Sequence, residues 1–116
     1  MPVAGAQFIA DHDLPGPVFN DQAWGGYLIY RWYPFRRVFI DGRIDMYGSD
    51  IVRDYVTVAS VKPGWREVLD RYAVRTVLVV RDSALSVLLQ MDPHWRRVFQ
   101  GEVEDVFVRA MPTPLE

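Results

Sequence analysis

The chain has 116 residues, 50% hydrophobic and 24% charged, a globular composition with room for one domain and none of the bias of a disordered or fibrous protein. Thirteen basic and fifteen acidic side chains leave a net charge of −2; they are scattered singly, so no basic patch is available to track a phosphate backbone and nucleic acid is not an expected partner. The absence of cysteine excludes disulfides, zinc ribbons, iron–sulfur clusters and thiol nucleophiles.

A chain of this length hides roughly 65% of its unfolded surface on folding, enough for one core without a metal or disulfide staple. Residues 3–12 read as a short helix with Val3, Ala4, Phe8 and Ile9 turned inward, stopped by Leu14-Pro15-Gly16-Pro17. Residues 18–20 read as a short strand. Over residues 23–32 Trp24, Tyr27 and Leu28 have helical spacing, although Gly25 and Gly26 each cost a helix about 1 kcal/mol against alanine. Such a pair implies close backbone approach. Pro34 ends the element, and residues 37–40 form an apolar run expected to be a central strand.

Residues 41–48, a polar loop with two glycines, precede a helix in which Ser49 is the expected cap and Val52, Tyr55, Val56 and Ala59 share a face. Lys62-Pro63-Gly64 turns the chain into a second helix, with Trp65, Val68, Leu69 and Tyr72 inward. Residues 76–80 are apolar and β-branched and read as a buried parallel strand. Asp82 or Ser83 then caps a helix through Gln90 with Leu85, Leu88 and Leu89 inward, halted by Asp92-Pro93. Residues 95–99 and 103–109 form an antiparallel hairpin with Val98 opposite the run from Val106 to Val108.

Alternation of this kind predicts a three-layer α/β/α sandwich with a mostly parallel sheet of about five strands and the C-terminal antiparallel hairpin at its edge. One α/β domain is expected over residues 1–110, with 111–116 a tail whose Leu115 and Glu116 look vector-derived. The apolar runs are far shorter than the roughly 20 residues of a membrane span. The N-terminal stretch has no positively charged start and reaches Asp11 too early for a signal peptide.

In such sheets working groups collect where strands end at loops on the carboxyl side. Two loops are placed there, residues 20–26 and 41–48. Asp21, Asp41, Asp45 and Asp50 offer hard oxygen ligands for Mg²⁺ or Ca²⁺, but not with calcium-loop spacing. Alternatively, Asp41 and Asp45 pair with Arg43 or Arg53, or cap the next helix, and Asn20-Asp21 forms an Asx turn. Trp24 beside Gly25, Gly26 and Tyr27 offers a surface on which a sugar ring or acyl chain can lie. Six aromatics within residues 24–35 are too many for all to be core. His12 and His94 have no nucleophilic partner at a familiar spacing and read as surface residues. No phosphate loop or dinucleotide fingerprint is present, and no cofactor is expected.

Two motifs in residues 18–48 carry a resemblance: Asn20, Asp21, Trp24, Gly25, Gly26, Tyr27 and Leu28, then, beyond Pro34, Phe39, Ile40, Asp41, Gly42, Arg43, Asp45, Tyr47 and Gly48. The pattern resembles the soluble C-terminal region after the last membrane span in bacterial polytopic membrane proteins of the type assigned as glycosyltransferases that use lipid-linked sugars. Trp65, Tyr72, Trp95 and Arg109 extend the likeness along the chain; the closing turn departs from it at Gly101-Glu102.

The resemblance implies a parent in the bacterial inner membrane and this domain on its extracytoplasmic side, docked on the transmembrane part of the same chain. The catalytic acid would lie in a loop outside this sequence, so the domain itself would be non-catalytic, contacting acceptor or lipid-linked sugar. Asn20, Asp21, Trp24, Gly25, Gly26, Tyr27, Asp41, Gly42, Arg43, Asp45 and Tyr47 are then the candidate binding residues. Two other readings use the same residues. One is a free-standing carbohydrate- or protein-binding module built on the aromatic surface; the other is a small metal-dependent hydrolase using Asp21, Asp41 and Asp45.

Overall fold

A computed structural model describes residues 1–32 and 48–110. The expected strand at 37–40 and the tail at 111–116 lie outside the described residues. Four strands form one sheet: β1 (Val18–Asn20), β2 (Thr76–Val80), β3 (Trp95–Gln100) and β4 (Glu104–Arg109). Five α-helices accompany it: α1 (Val3–Asp11), α2 (Gly25–Trp32), α3 (Ser49–Ala59), α4 (Trp65–Arg71) and α5 (Ala84–Met91), with a 3-10 turn at Gln22–Trp24 leading into α2.

The sheet order is β1-β2-β4-β3. Among the described strands only β1 and β2 run parallel, with Phe19 level with Val77 and Asn20 with Leu78. The pairs β2·β4 and β4·β3 are antiparallel. The expected mostly parallel sheet of five strands is therefore wrong: this is a small mixed sheet of four described strands with one parallel pair. The closing hairpin does add antiparallel strands at one end of the sheet, with β4 directly beside β2 and β3 outermost; β1 ends the other side among the described strands.

The side chains explain that choice. In β4, Val106 and Phe107 are buried on opposite faces, as a central strand requires, while β3 exposes Arg96 and Arg97 and so tolerates an open edge. Val98 lies across from the Val106–Val108 run and packs against the cluster that holds Val106, but it has no register partner. The pairing jumps from Arg97↔Phe107 to Phe99↔Val106, which leaves Val98 at a bulge.

Alternation along β2 sends Val77 and Val79 to one face and Leu78 to the other. Val77 and Val79 join Phe19, Phe107, Tyr55, Trp65, Leu69, Leu85 and Leu89 in a cluster under α3, α4 and α5. Leu78 and Val106 join Ala6, Ile9, Leu28 and Trp32 under α1 and α2.

Helix α1 corrects the expected inward face. Gly5, Ala6 and Ile9 are buried, whereas Val3 and Ala4 are exposed and Phe8 is half-buried. Close approach decides this orientation. A Cβ added at Gly5 would stand 2.6 Å from Glu104 Cγ and 3.1 Å from Leu78 Cδ1, so only the face with the smallest residues fits against the sheet.

Helix α3 is not capped by Ser49, which is already its first residue; Gly48 precedes it at φ 86°, backbone that glycine adopts without strain. Helix α5 has the expected cap, Ser83 Oγ accepting from Ser86 N at 3.2 Å. Buried Asp54 ties α3 to the end of α4, accepting from Arg71 Nη1 at 3.0 Å and from the Tyr72 hydroxyl at 2.6 Å. That hydrogen bond to Asp54, aided by burial, raises the Tyr72 hydroxyl above its ordinary pKa.

Candidate functional site

The carboxyl ends of the parallel pair β1 and β2 form the rim on which the first motif lies. Asn20, fully buried, ends β1 and donates through Nδ2 to the Asp21 carbonyl at 2.9 Å. Asp21 then turns the chain: its Oδ1 accepts from Ala23 N at 2.9 Å and its carbonyl from Trp24 N at 3.0 Å. This is an Asx turn that starts the 3-10 segment. Gly25, buried, opens α2 and Gly26 follows it. Trp24 and Tyr27 are half-buried at the margin of the α1/α2 cluster, while Leu28 and Trp32, one and two helical turns on, enter it fully. Trp32 Nε1 also reaches the Ala6 carbonyl at 3.4 Å.

Beside Asp21, on the opposite face of the sheet, is a recess of about 50 Å³ lined by Phe19, Asp21, Tyr55, Val79, Ser83 and Leu85. Tyr55 stacks on Phe19 with ring centroids 5.6 Å apart, which walls the recess with aromatic carbon. It has room for a water-sized group and no more. The Asp21 carboxylate is its acidic member, and Ser83 Oγ, engaged by Ser86 N, its hydroxyl. Polar contact with a passing ligand group is what this arrangement offers. Among the described residues it places no base on a nucleophile.

Asn20, Asp21, Trp24, Gly25, Gly26 and Tyr27 thus occupy one stretch of rim. Asp41, Gly42, Arg43, Asp45 and Tyr47 lie outside the described residues. Asp50, the fourth carboxylate of the proposed cation cluster, is at the far end of α3, paired with Arg53 at 3.1 Å and close enough to Tyr72 to raise its pKa. Tyr72 precedes the amino end of β2, whereas Asp21 sits at its carboxyl end, so Asp21 and Asp50 are not brought together. Among the described residues no group of three histidines or carboxylates is placed to hold a metal ion.

Both histidines are exposed, as read from the sequence, but His94 has an acidic partner that sequence spacing did not suggest. Its Nδ1 lies 3.0 Å from Asp92 Oδ1, and its backbone N–H donates to the same oxygen at 2.8 Å. Asp92 Oδ2 accepts from Arg66 Nε at 2.9 Å. Burial pushes the Asp92 carboxyl up, but the hydrogen bonds from Arg66 and His94 outweigh it and hold its pKa below the ordinary aspartate value. No hydroxyl among the described residues bonds the His94 ring; Asp92 ends α5 and His94 follows it.

Two buried acids of β4 were not singled out from sequence. Glu104 faces α1 and Asp105 faces α5, where Ser86 Oγ donates to Asp105 Oδ2 at 2.6 Å. The available signal was a pair of acids opening an apolar strand, which alternation must send to opposite faces. No protein-family model, curated protein or solved structure matches the chain. No helix among the described residues is long and apolar enough to cross a membrane.

Proposed function

We propose that this chain is a non-catalytic, ligand-contacting domain on the extracytoplasmic side of a bacterial membrane protein of the lipid-linked-sugar glycosyltransferase type, and that the rim from Asn20 to Tyr27 touches acceptor or lipid-linked sugar. The observation that carries the proposal is the grouping of Asp21, half-buried Trp24 and half-buried Tyr27 at the carboxyl end of β1. A rim with aromatic carbon toward α1 and α2 and a carboxylate toward α3 offers a sugar, which presents apolar C–H faces and hydroxyl donors, a contact for each. The motif likeness supplies the membrane context, and the second motif is expected to complete the surface.

The test has two parts. The reading frame upstream of Met1 should encode several hydrophobic spans; a frame without them removes the membrane parent and leaves a free-standing binding module. NMR titration of the chain with farnesyl phosphate and with neutral monosaccharides should move the backbone amides of Asp21, Trp24 and Tyr27, and Trp24→Ala should abolish those shifts. Shifts that survive the substitution, or none at all, would remove the case for this rim.

A further inference from the structure

Helix α5 carries no ionisable side chain in any of its eight residues, ALSVLLQM. Leu85, Ser86 and Leu89 form its buried face. The opposite face of a surface helix is ordinarily polar and charged. Here it is a stripe of Ala84, Val87, Leu88 and Met91 at i, i+3, i+4 and i+7, in which Leu88 is half-buried while Val87 and Met91 stand 45% and 74% exposed. Among the described residues no element covers that stripe.

The two ends of α5 carry opposite charge. Before its first turn Asp82, 71% exposed, presents a carboxylate whose contact with Arg81 Nε is long, at 3.7 Å, because Arg81 Nη1 donates to the Gly101 carbonyl. At the other end the Asp92 carboxylate is 4% exposed and already engaged, so the groups that face outward are the Arg66 guanidinium and the His94 ring, 57% and 81% exposed. The stripe is therefore self-complementary. Positions 84, 87, 88 and 91 are symmetric about the helix midpoint, so a second α5 laid antiparallel across a twofold axis sets Val87 on Leu88 and Ala84 on Met91. The same operation places Asp82 of each copy at the Arg66 end of the other, whereas a parallel pair would set like charge against like.

Other occupants match less well. An anionic bilayer asks for unpaired cations around an apolar stripe, yet the cations bordering this one each have an acid beside them: Arg66 with Asp92, Arg81 with Asp82 and Arg97 with Asp105. Pairing of two copies through the β3 edge is opposed by exposed Arg96 and Arg97. We infer that a second copy of this chain docks on the outer face of α5, the two α5 helices packing antiparallel about a twofold axis. Four side chains make a much smaller patch than the roughly 800 Å² per partner of a standard interface, so the dimer is weak, with a dissociation constant on the order of 0.1–1 mM.

Sedimentation velocity of the intact chain, with concentration raised from about 20 μM to about 1 mM, should show monomer giving way to dimer. Val87→Glu, at an exposed position, should weaken the association at least about tenfold. Asp82→Asn retains a residue that tolerates the local φ of 60° and should weaken it about threefold. The chain has no cysteine, so single thiols report the orientation. An oxidised mixture of Ala84→Cys and Met91→Cys should give the mixed disulfide in preference to either symmetric one. Vesicles of phosphatidylglycerol and phosphatidylcholine test the lipid alternative. A chain that stays monomeric throughout, with or without vesicle binding, would overturn the inference, as would association undiminished by Val87→Glu or a preferred symmetric Met91→Cys disulfide.

Discussion

Ser86 Oγ donates to Asp105 Oδ2 at 2.6 Å across the seam between α5 and β4, with both residues at zero exposure. Among the described residues Asp105 Oδ1 has no hydrogen-bond partner, and its ion pair with Arg97 Nη1 is long, at 3.9 Å. The serine hydroxyl is thus the closest partner of this buried carboxyl group. Ser86→Ala should lower stability by about 2–3 kcal/mol, because it strands the carboxylate without opening a large cavity. Adding Asp105→Val to Ser86→Ala should restore most of that loss. Urea unfolding of the two single variants and the double variant measures the coupling; additive losses would show that the hydroxyl does not serve the carboxylate.

Gly5 is expected to resist any side chain for a reason unrelated to helix propensity. Alanine normally improves a helix by about 1 kcal/mol over glycine. Here the new methyl would meet Glu104 Cγ at 2.6 Å and Leu78 Cδ1 at 3.1 Å, both in well-packed surroundings. Gly5→Ala should therefore destabilise by about 1–3 kcal/mol, the cost of overpacking. Glu104→Ala in the same chain should relieve the steric part. A thermal melt of Gly5→Ala at or above the parent's midpoint would show that α1 moves away at little cost.

Local pattern made several elements legible, and long-range choice did not. The i, i+3, i+4 spacing of Trp65, Val68 and Leu69 predicts the buried face of α4, and Ser83 is a cap in both sequence and structure. These rest on neighbours in the chain. Strand order does not: β4 reaches β2 because Val106 and Phe107 bury on both faces, and nothing local says which strand they meet. Alternating elements suggested a parallel sheet, yet an antiparallel hairpin satisfies the same apolar runs. The orientation of α1 escaped for a similar reason, since hydrophobicity favours Val3 and Phe8 inward while contact distance favours Gly5 and Ala6. At the candidate site, the Asx turn at Asp21 was readable from sequence, whereas the carboxylates of Glu104 and Asp105 became visible only with their partners on α1 and α5.

Asp21 and Trp24 are expected to separate turn formation from ligand contact. Asp21→Ala removes the acceptor for Ala23 N at 2.9 Å and should cost about 1 kcal/mol, as loss of a cap does. Asp21→Asn keeps an acceptor and should cost only a few tenths, while removing the charge offered to a ligand. If the rim contacts a sugar through the carboxylate, Asp21→Asn weakens binding with little change in melting temperature. Equal binding by the parent and Asp21→Asn would confine Asp21 to the turn.

The acid side of the stability profile should depend on Asp92. Its carboxylate, held by Arg66 Nε at 2.9 Å and His94 N at 2.8 Å, has a folded pKa below the ordinary aspartate value of 3.8, where the unfolded chain is expected to titrate. Between those two values the unfolded state binds the extra proton, so stability rises with pH across that window. The contribution is fully present above the unfolded value and is lost as pH falls through the folded one. Asp92→Asn should therefore destabilise at neutral pH and flatten the dependence between about pH 5 and pH 2. Arg66→Met, which removes one of the two donor side chains from a partly exposed ion pair, should show a smaller version of the same change. Urea midpoints collected across that range for the three proteins provide the measurement. Parallel curves for the parent and Asp92→Asn would mean that the acid transition is governed by other carboxylates, and that the Arg66 and His94 contacts do not favour the ionised form in the fold.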